Sequence, residues 1–144
     1  MIHLETVTPG NWRVDFQLKK EQEDFVFSPT GILAQAWAYR EEGSQAFVIY
    51  NDEEPVGMAM YHDFSEWEAY EFSQLFIDSR YQGKGFGIEA ARQVLQKMED
   101  AGKYKKVYLS YIKGDEPARK MYEKLGFVSK GEIDEGEFLM VKEF

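Results

Sequence analysis

The 144-residue chain contains no cysteine, which excludes disulfides, thiolate metal sites and a cysteine nucleophile. It also has no apolar run near the roughly 20 residues that a membrane-spanning helix needs. Cations are the minority charge: 17 Lys and Arg stand against 26 Asp and Glu, a formal net charge of -9. That balance argues against nucleic acid as the main partner, because phosphate binding needs clustered cations. It is compatible with a cationic substrate, whose local concentration an acidic cleft raises, and equally with plain solubility. The two histidines, His3 and His62, have no helical or hairpin metal spacing, so no metal is expected. The first residues, MIHLETVTPG, lack the basic start and apolar stretch of a secretory signal, and a cytoplasmic location without a membrane partner is expected.

What is present suffices for a core: 44% of residues are hydrophobic and 16% aromatic, with an ordinary 12 Gly and 4 Pro. The length suits one domain, residues 1–144. Alternation over residues 2–7 predicts a strand. Residues 12–18 also alternate, which favours a strand, but the capping residues Thr8 and Asn11 before them predict a helix. Ser28 and Pro29 start a further helix with a cap and a first-turn proline. Residues 46–50 and 55–61 read as a hairpin, residues 62–69 as a polar connection, and residues 70–77 as a third long strand. An amphipathic helix is predicted from Ile88 to Ala101, stopped by Gly102. Residues 106–111 read as a strand, and Asp115 with Pro117 opens a helix that Gly126 ends. A last pair of strands flanks a turn at residues 134–136. This order predicts one sheet with helices on its faces, an α/β (α+β) protein.

The most informative stretch runs from Leu75, Phe76 and Ile77 through Asp78, Ser79, Arg80 and Tyr81 to Gln82, Gly83, Lys84, Gly85, Phe86, Gly87 and Ile88. A strand passes through a turn with alternate glycines straight into a helix. The first N–H groups of a helix have no internal partners, and the helix dipole places partial positive charge there. Glycines let the backbone approach a phosphate closely. An ATP-binding P-loop is unsupported, since no G-x-x-x-x-G-K motif occurs. The dinucleotide fingerprint is missing too, because the glycines fall at 83, 85 and 87.

Arg80-x-x-Gly83-x-Gly85 resembles the acetyl-CoA motif of GNAT acetyltransferases. Asp115-x-x-Ala118-x-x-x-Tyr122-x-x-x-Gly126-Phe127, about 30 residues later, resembles their second motif. The pair matches closely over residues 75–127. Residues 21–26, 55–61 and 131–137 add a likeness to bacterial diamine and polyamine (spermidine/spermine) N-acetyltransferases. The resemblance implies a central mixed, mostly antiparallel sheet flanked by helices, acetyl-CoA as co-substrate, a small amine as partner and a homodimer. It implies that the backbone of Leu75, Phe76 and Ile77 holds the pantetheine arm like an added strand. Residues 82–88 would cradle the pyrophosphate, with Arg80 and Lys84 as nearby cations. Tyr122 would protonate the departing thiolate, a role suited to a phenol that is neutral at pH 7.

Two positions depart from the family pattern. Asp115 stands where asparagine is usual, keeping a capping oxygen but losing an amide donor. Ser73 stands where related enzymes place an acidic residue, and it cannot act as a base. Glu71, two residues earlier, faces the same side of an unbroken strand and is the nominated base, acting through water. Glu21, Glu23 and Asp24 are candidate substrate contacts. The alternatives are acetylation of a protein N-terminus or lysine, or a non-catalytic acyl-CoA-binding regulator on the same fold.

Overall fold

The computed structural model describes residues 1–23 and 25–144. Seven strands form one sheet: β1 (Ile2–Thr6), β2 (Gln45–Asn51), β3 (Glu54–Phe64), β4 (Ala69–Ile77), β5 (Lys106–Ile112), β6 (Val128–Asp134) and β7 (Glu137–Glu143). Four helices accompany it: α1 (Lys20–Glu23), α2 (Pro29–Ala38), α3 (Phe86–Ala101) and α4 (Glu116–Lys124). The strand order is β1-β2-β3-β4-β5-β7-β6. Among the described residues every pairing is antiparallel except that of β4 with β5. The expected mixed, mostly antiparallel sheet flanked by helices is therefore present.

The local signals act as their chemistry requires. Ser28 caps α2 by accepting from the Gly31 amide at 3.1 Å, and Asp115 caps α4 by accepting from the Ala118 amide at 3.3 Å. Helix α3 starts and stops on left-handed glycines, Gly85 at φ 80° and Gly102 at φ 64°. Its buried stripe of Ala90, Ala91, Val94, Leu95 and Met98 packs with Tyr122 of α4 against Phe47, Tyr61, Tyr70 and Phe72 on one sheet face. The opposite face is covered by α2, with Ile32 on Met58, Met60 and Phe76.

Three expectations are corrected. Residues 12–18 are not a helix. Thr8 and Asn11 close a local turn instead: the Thr8 carbonyl accepts the Asn11 and Trp12 amides, and Asn11 Oδ1 accepts from the Thr8 amide. The chain after it forms neither helix nor strand, and Phe16 and Leu18 pack on the second core cluster. The Phe16 ring meets Phe76 edge-on at 5.3 Å. The strand that alternation favours does not form either: Trp12 is exposed in the turn, and only the later part of the segment packs on the core.

Residues 62–69 are not a polar connection. Strand β3 continues to Phe64, and a short turn over Ser65–Trp67 leads directly into β4. His62 and Asp63 look like loop residues in sequence. In the sheet they are paired across to Glu71 and Tyr70.

Strand β4 is not unbroken. Gln74 lies opposite Met60 and Phe72 opposite Tyr61, so Ser73 is an extra residue, a β-bulge. Before it, Tyr70 and Phe72 face the α3 side; after it, Phe76 faces the α2 side and Ile77 the α3 side. Counting by twos from Glu71 to Ser73 does not carry across a bulge.

Candidate active site

The bulge and the parallel pair together open a cleft. Strands β4 and β5 pair only at Tyr70 with Val107 and Glu71 with Tyr108. Beyond that point the strands part, and among the described residues the edge of β4 that faces β5 has no strand partner. A cavity of about 290 Å³ lies between them. Phe72 and Leu75 wall it on β4, Leu109 and Tyr111 on β5, and Ala118 and Tyr122 on α4. Phe25, Val26 and Phe27 close it from the N-terminal segment.

At the end of β4, Phe76 and Ile77 anchor the strand in opposite cores. The Ile77 carbonyl accepts the side-chain amides of Gln22 at 3.0 Å and Gln82 at 2.8 Å. Buried Asp78 then organises the loop. Its carboxylate accepts from Arg80 Nε at 3.0 Å and Nη2 at 2.8 Å, from the Arg80 amide at 2.9 Å and from the Gln17 amide at 2.8 Å. The Arg80 hydrogen bonds, foremost, hold the Asp78 carboxyl down at about 2 despite burial. The Arg80 guanidinium is thus turned onto Asp78, and Lys84 is the cation of this loop without such a partner among the described residues.

Among the described residues, no protein acceptor takes the backbone amides of residues 82–88. Gly83 and Gly85 are left-handed, at φ 77° and 80°, and a β-carbon on either would meet no atom within 4 Å. The loop therefore presents bare amides at the start of the 16-residue helix α3, the arrangement that suits an anion. Gly87 packs instead toward Ile77 and Met121, and Phe86 and Ile88 are half-buried.

Tyr122 is 8% exposed, its ring edge-on to Phe72 at 5.9 Å and to Phe127 at 5.4 Å. It nevertheless lines the cleft. Burial first, and the negative charge of Asp115 second, raise its pKa well above the ordinary phenol value. The group therefore keeps its proton throughout the neutral range. Asp115 lines the same wall, and burial raises its carboxyl against the opposing hydrogen bond from Ala118.

Three carboxylates line the cleft, Glu71, Asp115 and Glu137, and no Lys or Arg does so among the described residues. Ser73 lines it as well, its hydroxyl donating to the Met60 carbonyl at 3.3 Å. The structure does not bring Glu21 and Glu23 to this cavity. Both are exposed on α1, and the segment that reaches the cleft is the aromatic run just after them. Asp24 lies outside the described residues.

Sequence reasoning missed two side chains. Glu137 reaches the cleft because β7 pairs with β5, placing it opposite Ile112, and it accepts from Ser110 Oγ at 2.6 Å. Such long-range pairing leaves no local signal. His62 is 1% exposed and lies 2.7 Å from a Glu71 oxygen. Its exclusion as a metal ligand concealed its second possibility, a buried partner for a carboxylate.

The chain matches the model of the acetyltransferase (GNAT) family over residues 11–127. It belongs to the GNAT family. The chemistry of that membership is acetyl-CoA-dependent N-acetyl transfer, with acetyl-CoA as co-substrate. The bare-amide loop and the unpartnered edge of β4 fit such a molecule: one suits a pyrophosphate, the other an amide-bearing arm. The spermine/spermidine N(1)-acetyltransferase of Bacillus subtilis (strain 168) is 31% identical, over 99% of this chain and 98% of that protein. Spermidine N-acetyltransferase from Vibrio cholerae, solved with CoA and spermine, superposes with a TM-score of 0.80 at 18% identity, covering 99% of this chain and 95% of that one. Aminoglycoside acetyltransferase AAC(6')-Ib, solved with coenzyme A, gives 0.78 at 16% identity, covering 99% and 95%. No helix among the described residues of this GNAT chain is long and apolar enough to cross a membrane.

Proposed function

We propose that this GNAT chain, residues 1–144 acting as one catalytic domain, acetylates a primary amine of a small polycation: a diamine, spermidine or spermine. The observation that carries the reading is the charge of the cleft: among the described residues three carboxylates line it and no cation does. Such a wall attracts a substrate with several ammonium groups and repels anionic competitors. The B. subtilis relative, similar over almost the whole chain, carries the same substrate class in its name.

The amine attacks the thioester carbonyl directly, with no covalent enzyme intermediate. Because the attacking nitrogen is protonated at neutral pH, its proton must leave first, and Glu71 takes it through a water. The β4 segment from Leu75 to Ile77 holds the pantetheine arm along its β5-facing edge, and N–H groups near Phe76 stabilise the tetrahedral oxyanion. The amides of residues 82–88, with Lys84, hold the pyrophosphate, and Asp115 and Ala118 line the coenzyme side. Tyr122 gives its proton to the departing thiolate. Glu137 and Ser73 face the amine.

The test is thiol release from acetyl-CoA across a panel of putrescine, spermidine, spermine, a lysine-bearing peptide and an aminoglycoside. Polyamines are expected to turn over with kcat/KM at least about tenfold above the others. Turnover of the peptide or aminoglycoside alone would overturn the substrate class, and acetyl-CoA binding without release for any amine would overturn the enzymatic reading of the site.

A further inference from the structure

His62 is an unusual residue to bury. It sits on β3, fully covered, with its ring stacked on Tyr39 at the end of α2 at 4.3 Å. Its Nδ1 lies 2.8 Å from the Asp63 backbone carbonyl. A carbonyl only accepts, so Nδ1 must carry hydrogen. Its Nε2 lies 2.7 Å from Glu71 Oε2, and an ionised carboxylate also only accepts. A neutral ring with hydrogen on Nδ1 would set the electron-rich Nε2 beside that carboxylate with no hydrogen or positive charge to offset it. Both nitrogens thus face acceptors, which favours the doubly protonated ring. The approach to Glu71 lies off the ring N–H axis, so charge attraction more than an aligned hydrogen bond joins the pair. Burial, the largest single effect, opposes the charge, but the contacts with Glu71 and Asp63 together outweigh it.

We propose that His62, as a buried imidazolium, is a positioning residue that holds Glu71 at the amine side of the cleft. The inference rests on the reading of Glu71 as base. Contact with Oε2 leaves Oε1 for the water that receives the substrate's proton. His62 itself moves no proton. A base oriented by a third group is a recurrent catalytic arrangement, and here the orienting group is fixed by the sheet, because His62 pairs directly opposite Glu71. The titratable groups facing the ring are Glu71 from β4, Tyr39 from the end of α2, and Asp63 on its own strand. Asp63 is in turn ion-paired with Lys103.

The imidazolium exists below the midpoint of His62 and is lost as pH rises through it, so the positioning should fade on the alkaline side. The experiment is a pH titration of the His62 ring by 1H–15N NMR in the whole protein. Beside it, pH profiles of kcat/KM with acetyl-CoA and spermidine are measured for wild type, His62→Ala, His62→Gln and Glu71→Gln. The wild-type ring is expected to be doubly protonated at pH 7, with a midpoint that drops in Glu71→Gln. His62→Ala should lower kcat about tenfold or more while leaving the KM for acetyl-CoA unchanged. His62→Gln, neutral at every pH, lacks the charge that joins the pair, so it should restore little of that loss and shed the alkaline limb. A neutral wild-type ring at pH 7, or a midpoint unmoved by Glu71→Gln, overturns the proposal even if the His62 variants fold poorly. Wild-type profiles in both His62 variants, with Glu71→Gln inactive, overturn the positioning role alone. Full turnover in Glu71→Gln removes the base assignment and the positioning role together.

Discussion

A β-carbon on Gly57 of β3 would lie 2.1 Å from the carbonyl oxygen of Phe76 on β4. The two backbones approach as closely as glycine alone permits, just where β4 leaves the sheet for the glycine loop. Gly57→Ala should push β4 outward, destabilising the fold by about 1–3 kcal/mol as an overpacked contact. Turnover should fall as well, because the displaced segment is the proposed seat of the thioester. Urea unfolding with parallel thiol-release assays checks both; a stable and fully active variant would show that this approach is not needed.

Tyr122→Phe keeps the ring between Phe72 and Phe127 and removes only the hydroxyl. Because burial keeps that phenol protonated, its expected loss is in proton donation. We expect kcat to fall about 100-fold or more, with acetyl-CoA affinity and melting temperature little changed. Stopped-flow thiol release and calorimetry separate the two quantities. Near-normal kcat would exclude Tyr122 as the acid.

Gly85→Ala meets open space but a forbidding backbone, since φ is 80° and nothing lies within 4 Å of the new carbon. Holding alanine there costs about 1–2 kcal/mol. If the loop needs this shape to aim its amides, acetyl-CoA should bind about tenfold more weakly, as roughly 1.4 kcal/mol corresponds to tenfold. Calorimetric titration with acetyl-CoA measures it. Unchanged affinity would mean that the coenzyme does not use this conformation.

Asp78 supplies a pH dependence of stability. Its folded pKa is lowered from 3.8 to about 2, chiefly by Arg80. The stabilisation is therefore present above pH 3.8 and is lost as pH falls toward 2, on the order of 2 kcal/mol. Asp78→Asn should lower stability at pH 7 and flatten the decline between pH 4 and pH 2. Denaturant melts at stepped pH test this, and an unaltered slope would show that the carboxylate is not the titrating group.

Residues that carry their own local geometry were legible before folding. Ser28 and Asp115 announce caps because a short side-chain oxygen meets the next turn's amide without help from elsewhere. Gly83, Gly85 and the onset of α3 announce a glycine turn opening onto a helix N-terminus for the same reason, as backbone freedom is a property of the segment itself. The place of Tyr122 on α4 follows from Asp115 and Gly126, which bracket that helix. Residues 12–18 were not legible, since neither the strand their alternation favours nor the helix their cap suggests forms.

The sequence by itself determined the caps, the glycine loop, the place of Tyr122 on its helix and the family. Only the tertiary structure decided which side chains share the cleft. Ser73 breaks the count along β4 because a bulge depends on the facing strand. Glu137 reaches Ser110 across 27 residues, and His62 meets Glu71 through a strand pairing whose partner cannot be read from either segment. Local geometry is encoded by neighbours in the chain; the electrostatics of a cleft are set by groups that meet only when the sheet closes.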